Sequence, residues 1–150
     1  MAALPFYALA KATEKPRKIK YNSNPQTIGE HIRKKRVENG LDQRDVAAML
    51  NTCTDTITGW ENGRSKPVIS WYPNIIKFLG YYPFDHSANT AAGLIERCRH
   101  LLGLSYEELG KRAGVHGSTL IYWKRNNLIT NQRCKQKLLQ LANAAPSLPP

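Results

Sequence analysis

The chain has 150 residues, with 22 Lys and Arg against 11 Asp and Glu, and its net charge of +11 attracts polyanions, nucleic acid foremost, at long range. Its 41% hydrophobic content suffices for one or two small helical cores, but no run nears the roughly 20 apolar residues of a membrane span, and MAALPFYALA is not expected to be a signal peptide. Three cysteines without C-x-x-C spacing argue against a disulfide framework or a zinc ribbon and point to a reduced, cytoplasmic setting.

In chain order, residues 1–26 read as a basic flexible arm: Pro5, Pro16 and Pro25 break helices, and Lys11, Lys15, Arg17, Lys18 and Lys20 crowd its middle. Such a segment either follows phosphates or a minor groove, or is a solvating terminus. A first helix is predicted from Thr27, where Thr-Ile-Gly-Glu has the form of a capping box, to Gly40, with Ile28, Ile32 and Val37 as its apolar stripe. Asp42 caps a second helix whose inner face is Val46, Ala47, Met49 and Leu50, and Asn51 takes the tight turn. A third helix spans about 54–62 and ends at Gly63. A fourth begins near Pro73 and buries Ile75, Ile76, Phe78 and Leu79 before Gly80.

Residues 81–90 read as a linker, and then the pattern recurs. GLDQRDVAAMLNTCTDTITGWEN at 40–62 and GLSYEELGKRAGVHGSTLIYWKR at 103–125 align without a gap, placing Gly40 over Gly103, Ile57 over Leu120 and Trp60 over Trp123. Ile95, Leu101 and Leu102 mark the first helix of the second copy, Ser105 and Glu108 form a capping box, and Gly114 holds the turn position of Asn51. Thr130 is expected to cap a last helix with Leu138, Leu139 and Leu141 inside. No strand-like alternation occurs, so the expected fold is all-α: domains at 27–85 and 91–144, joined by a linker at 86–90 and followed by a tail at 145–150. Residues 86–150 carry nine basic and three acidic residues, whereas 28–85 are nearly neutral.

A helix, a tight turn and a second helix with an inward Trp suit insertion into a DNA major groove. On the 54–62 helix, Thr54, Asp55, Thr58, Gly59 and Asn62 share one face while Ile57 and Trp60 face the core. Thr offers a methyl or a hydroxyl to bases, Asp55 accepts from a cytosine amino group, and Gly59 lets the backbone come close. The alternative is an ordinary solvated face.

IGEHIRKKRVENGLDQRDVAAMLNTCTDTITGWENGRSKP resembles the helix-turn-helix of the phage repressor and Cro family, through Ile28-Gly29, Arg36, Gly40-Leu41, Gln43, Val46-Ala47, Ile57 and Trp60-Glu61-Asn62-Gly63. The likeness is good over 28–80 and weaker over 91–142. It implies that Gln43 contacts phosphate or base, that Cys53 begins the recognition helix, and that Thr54, Asp55, Thr58 and Gly59 face the groove. It further implies that Asn62 and Arg64 hold the phosphate backbone and that Arg36 pairs with Glu61; Lys66 is counted with the DNA-binding residues. In the second copy, with its recognition helix at 117–125, the DNA-facing residues would be Ser118, Ile121, Tyr122, Lys124 and Arg125. There Arg99 and Lys124 occupy the positions of Arg36 and Glu61, so two cations are expected to diverge to solvent or phosphate.

Other classes fit less well. The acids are mostly helix caps, no spaced carboxylate trio or Gly-rich phosphate loop is present, and no enzyme is expected. Cys98, His100, His116 and Cys134 match no metal-finger spacing, His31 and His86 read as surface residues, and no cofactor or metal is expected. The aromatic and GXXG signatures of common RNA modules are missing. The expectation is a cytoplasmic, bacterial or phage-encoded protein that binds double-stranded DNA, a transcriptional repressor acting as a monomer with an internal pseudo-dimer. The alternative is an antitoxin-like or mobile-element DNA-targeting protein with a protein partner at Ile121 and Tyr122.

Overall fold

A computed structural model describes residues 20–145, and every regular element among them is helical. The elements are α1 (Ile28–Glu38), α2 (Gln43–Met49), α3 (Thr54–Glu61), a 3-10 turn (Ile69–Trp71), α4 (Tyr72–Leu79), α5 (Ala91–Leu102), α6 (Tyr106–Ala113), α7 (Gly117–Asn126) and α8 (Gln132–Ala144). Most of the basic arm expected at 1–26, and nearly all of the tail at 145–150, lie outside the described residues. The chain packs as two compact units, one ending at Lys66 and the other beginning at Pro67.

In the first unit the capping box forms. Glu30 N donates to Thr27 Oγ1 at 3.2 Å, and the Glu30 carboxylate accepts from the backbone N–H groups of Thr27 and Gln26. Those bonds, with Lys34 Nζ donating to Ser23 O at 3.0 Å, fasten residues 23–26 to the start of α1. At the close of α2, Asn51 adopts φ 55°, a left-handed conformation that Asn tolerates and that turns the chain sharply into α3. Ile32, Val46, Leu50, Ile57 and Trp60 are buried. Met49, expected on the inner face, is 40% exposed, because Val46, Ala47 and Leu50 already fill that row. Gly29 permits the close approach of α1 to α3: a Cβ there would lie 1.9 Å from Trp60 O.

The second unit starts earlier than its sequence suggests. Helix α4, expected to close a first domain at 27–85, packs on α5. The reason is aromatic: Tyr72 of α4 stacks on Phe84 and on His100 of α5, with ring centroids 5.7 and 4.8 Å apart. Residues 81–90 are correspondingly more than a linker. The Tyr82 hydroxyl bridges His86 Nδ1 and His100 Nδ1 at 3.1 and 2.8 Å, so His86 is a half-buried packing residue rather than a surface one. Beyond this cluster α5 to α8 enclose Leu94, Ile95, Leu109, Leu120, Trp123 and Leu138. Gly114 has φ 81° between α6 and α7. The cap of α8 is Asn131, whose side chain accepts from Cys134 N at 3.1 Å, one residue after the expected Thr130. Leu138 is sealed, but Leu139, expected inside, is partly exposed because Cys134 and Leu138 form the inner row.

Candidate nucleic-acid interface

Helix α3 is held from behind by a buried polar network. Arg36 Nε donates to Glu61 Oε1 at 2.7 Å and its Nη2 to Oε2 at 2.9 Å, a bidentate pair with both side chains almost fully buried. Arg36 Nη1 also donates to Leu41 O at 3.1 Å. Three segments, α1, the α1–α2 turn and the end of α3, are thereby tied at one point.

Gln43 extends this network toward the surface. Its Nε2 donates to Glu61 Oε2 at 2.9 Å, and its Oε1 accepts from the Thr58 hydroxyl at 2.9 Å. The Thr58 hydroxyl lies equally near Thr54 O, which shares its single proton. A carboxamide so engaged has one N–H and one lone pair left for an external partner. Gln43 and Thr58 thus orient α3 while half-buried, and the openly exposed groups of the face are Thr54, Asp55 and Asn62.

Gly59 shares that row of the helix but is not open on it. It is buried beneath Ser65, whose Oγ would lie 2.8 Å from a Cβ at position 59. The missing side chain makes room for the following turn, and Gly59 O accepts from Arg64 N at 2.9 Å and Ser65 N at 3.3 Å. Arg64 and Lys66 are exposed on this turn, and Arg64 Nη2 lies 3.2 Å from Asp55 Oδ1. Cys53 caps the helix start as an exposed thiol 3.1 Å from Thr56 Oγ1. Hydrogen bonding to the Thr56 side chain and backbone holds its pKa below the ordinary thiol value.

The second unit keeps the helix pair but rebuilds the network with the charges exchanged. Helices α6 and α7 start at Tyr106 and Gly117, the positions aligned with Gln43 and Thr54. Arg99 and Lys124 do not diverge. Both turn to Glu96, one turn earlier on α5, with Arg99 Nη1 and Lys124 Nζ each 3.2 Å from Glu96 Oε1. Tyr106 donates its hydroxyl to the same oxygen, accepts from Lys124 Nζ at 3.0 Å, and lies flat under the Arg99 guanidinium, 3.7 Å from its ring centroid. Lys124, expected at the DNA, therefore spends its ammonium on the fold. Burial opposes ionisation of Glu96, yet the Tyr106 hydrogen bond and the Arg99 and Lys124 charges outweigh it and bring its pKa below the ordinary value. The hydrogen bond from Lys124 to Tyr106, helped by Glu96, raises the Lys124 pKa despite partial burial.

Glu96 escaped the sequence reading. The available signal was chemical: once Lys124 replaces the acid of the first copy, two neighbouring, partly buried cations need an anion from elsewhere, and Glu96 lies one helical turn from Arg99. Ser118, Tyr122 and Arg125 are exposed on α7, Tyr122 by 60%, whereas Ile121 is half-buried. Cys98 and Cys134 are buried, and the Cys98 thiol, pushed up by burial to about 12, donates to Leu138 O at 3.1 Å.

Among the described residues no helix is long and apolar enough to cross a membrane. No curated protein and no solved structure matches the chain. A helix-turn-helix family model, of the Cro and C1 type, matches residues 32–70, which run from α1 through α3 and the turn after it. The second copy lies outside the match. With α2 and α3 joined by the Asn51 turn and locked on α1 through Arg36 and Glu61, residues 32–70 have the form of a helix-turn-helix and are similar to that family.

Proposed function

We propose that the protein binds double-stranded DNA sequence-specifically and regulates transcription, most simply as a repressor, by occupying the major groove. Helix α3 is its recognition helix: Thr54, Asp55 and Asn62 face base edges and sugar-phosphate, Arg64 and Lys66 hold phosphates, and Gln43 and Thr58 keep the helix in register while offering their remaining hydrogen-bonding capacity. Helix α7 is a second, dissimilar reader that presents Ser118, Tyr122 and Arg125, with Ile121 beside them. Two unlike modules on one chain replace a two-fold dimer, so a cytoplasmic monomer acts as an internal pseudo-dimer on an asymmetric site of roughly 15–20 base pairs.

The observation that carries this reading is the buried Arg36–Glu61–Gln43 network, which holds a short polar helix face rigidly outward within a matched helix-turn-helix. Selection from a randomised duplex pool, at two ionic strengths, tests it. The expected outcome is one asymmetric consensus whose affinity falls steeply with salt. Recovery of no consensus, with binding of all duplexes alike, would remove sequence-specific regulation.

The exposure of Tyr122 favours one other reading, an antitoxin-like or DNA-targeting protein with a protein partner on α7. Gel filtration and pull-down distinguish them. A chain that binds its site alone supports the first reading, and a chain that binds only in complex supports the second.

A further inference from the structure

We infer that Asp55 and Arg64 act as one reading unit, in which Asp55 aims the Arg64 guanidinium at a guanine, so that Arg64, rather than only holding phosphate, carries the base preference at that position. This rests on α3 entering the groove as proposed above.

The geometry is built rather than incidental. Arg64 is nine residues beyond Asp55, yet its Nη2 lies 3.2 Å from Asp55 Oδ1. Three backbone features bring it back along the helix. Gly63 takes φ 70°, Arg64 N and Ser65 N both donate to Gly59 O, and Ser65 occupies the space that a Cβ at Gly59 would need. Asp55 and Gly59 stand on one row of α3, so a turn fastened over Gly59 starts the Arg64 side chain one helical turn from the carboxylate.

The fold does not need the pair. The Arg64 and Asp55 side chains are 59% and 85% exposed, and an ion pair in open water contributes little to stability. Its consequence is at the interface. An unpaired carboxylate on a helix entering between two phosphate strands is repelled; paired with Arg64, its charge is balanced. The guanidinium gives one Nη2 to Asp55 and keeps its other donors in a rigid planar fork, the geometry that meets guanine O6 and N7 together. A lysine holds the same charge but cannot make that double contact.

The second unit has no such device. The residues aligned with Asp55 and Arg64 are Ser118 and Asn127, and Asn127 is turned into its own fold, accepting from Ala92 N at 3.1 Å. The guanine preference therefore belongs to one half of the site only. The competing arrangement has Asp55 itself accepting from a cytosine amino group.

The test uses the full chain as wild type, Asp55→Ala, Arg64→Lys and the double variant. Consensus selection is followed by affinities for the selected duplex, for single-base variants of it and for random duplex. Wild type should discriminate for guanine at one position by about ten-fold or more. Arg64→Lys should abolish that discrimination, read as the ratio of affinities for the selected duplex and its single-base variants. Asp55→Ala should lower it several-fold, read as the same ratio. The double variant should match Arg64→Lys alone. Retention of the guanine preference in Arg64→Lys, or its absence in wild type, overturns the inference and leaves DNA binding standing. Altered preference in Asp55→Ala but not in Arg64→Lys overturns it in favour of direct reading by Asp55. A wild-type chain that binds no duplex overturns the function proposed above as well.

Discussion

Arg36 and Glu61 show how much of a small unit can depend on two side chains. A unit of this size has only a few kcal/mol of net stability, and both charges of the pair are withdrawn from water. Removing one partner leaves the other buried and unpaired, at a cost of about 3–5 kcal/mol. Arg36→Ala should therefore unfold the first unit at room temperature, read by the emission of Trp60 during urea titration. Replacing both residues together with Met and Leu should restore much of the loss, since the desolvation cost of two ions disappears with them. A folded Arg36→Ala protein with an unchanged midpoint would show that the pair is not the anchor described. The contrast with Asp55 and Arg64 lies in burial: the same two charge types contribute to folding when dry and to recognition when wet.

At the scale of elements, α5, α6 and α7 meet on Glu96, which plays for the second unit the part that Arg36 plays for the first. Glu96→Gln should release Arg99 and Lys124 from their shared anion and lower the stability of this unit by roughly 3 kcal/mol. In a DNA titration it should also steepen the salt dependence, because each cation newly given to a phosphate adds about 0.9 to the slope. An unchanged slope would mean that Lys124 stays inward without Glu96. Beside Glu96, His100 is enclosed by Tyr72, Tyr82, Phe84 and His86, and its Nε2 is 3.6 Å from Glu96 Oε2. Burial lowers its pKa from 6.5 to about 4, against the opposing pull of the Glu96 charge. Between those values the unfolded chain binds a proton that the folded unit refuses, so stability falls as pH falls through this window. The depressed pKa of Glu96 acts in the same direction lower down, since its contribution is present above 4.5 and lost as it protonates. Denaturation midpoints from pH 7 to 4 should decline, and His100→Gln should flatten the upper part of that decline. An unchanged profile in the variant would place the sensitivity elsewhere.

For the whole molecule the proposed function raises the question of how two unlike readers on one chain would divide the work. Residues 67–150 carry ten basic residues against four acids, whereas residues 20–66 carry eight against six and the more differentiated polar face. The expected division is affinity from the second and sequence discrimination from the first. Because the contacts are tethered, disabling the second reader with Tyr122→Ala and Arg125→Ala should weaken binding of the full site by about 10²-fold or more. It should shorten the protected footprint from one side only and leave the consensus under α3 intact. Loss of both halves of the footprint together, with the fold retained, would show that the units do not read separate half-sites.

Much of this was legible in the chain. The capping boxes at Thr27 and Ser105, the positive-φ positions Asn51 and Gly114, the inward Ile57, Trp60, Leu120 and Trp123, and the starts of α2, α3, α6 and α7 all follow from local chemistry, because a cap, a turn or an apolar row is decided by residues within a few positions. The polar face of α3 was legible by the same periodicity. Which of its members stay exposed was not: Gly59 is covered by Ser65, and Gln43 and Thr58 are drawn toward Glu61, through contacts that periodicity cannot weigh. Nor could sequence place α4 with α5, or bring Tyr82 of an apparent linker and Tyr72 of α4 together on His100. The charge-exchanged network on Glu96 belongs to the same category. Local order is written in neighbouring residues, whereas the partner of a buried charge or an aromatic ring is settled only when distant segments compete to cover it.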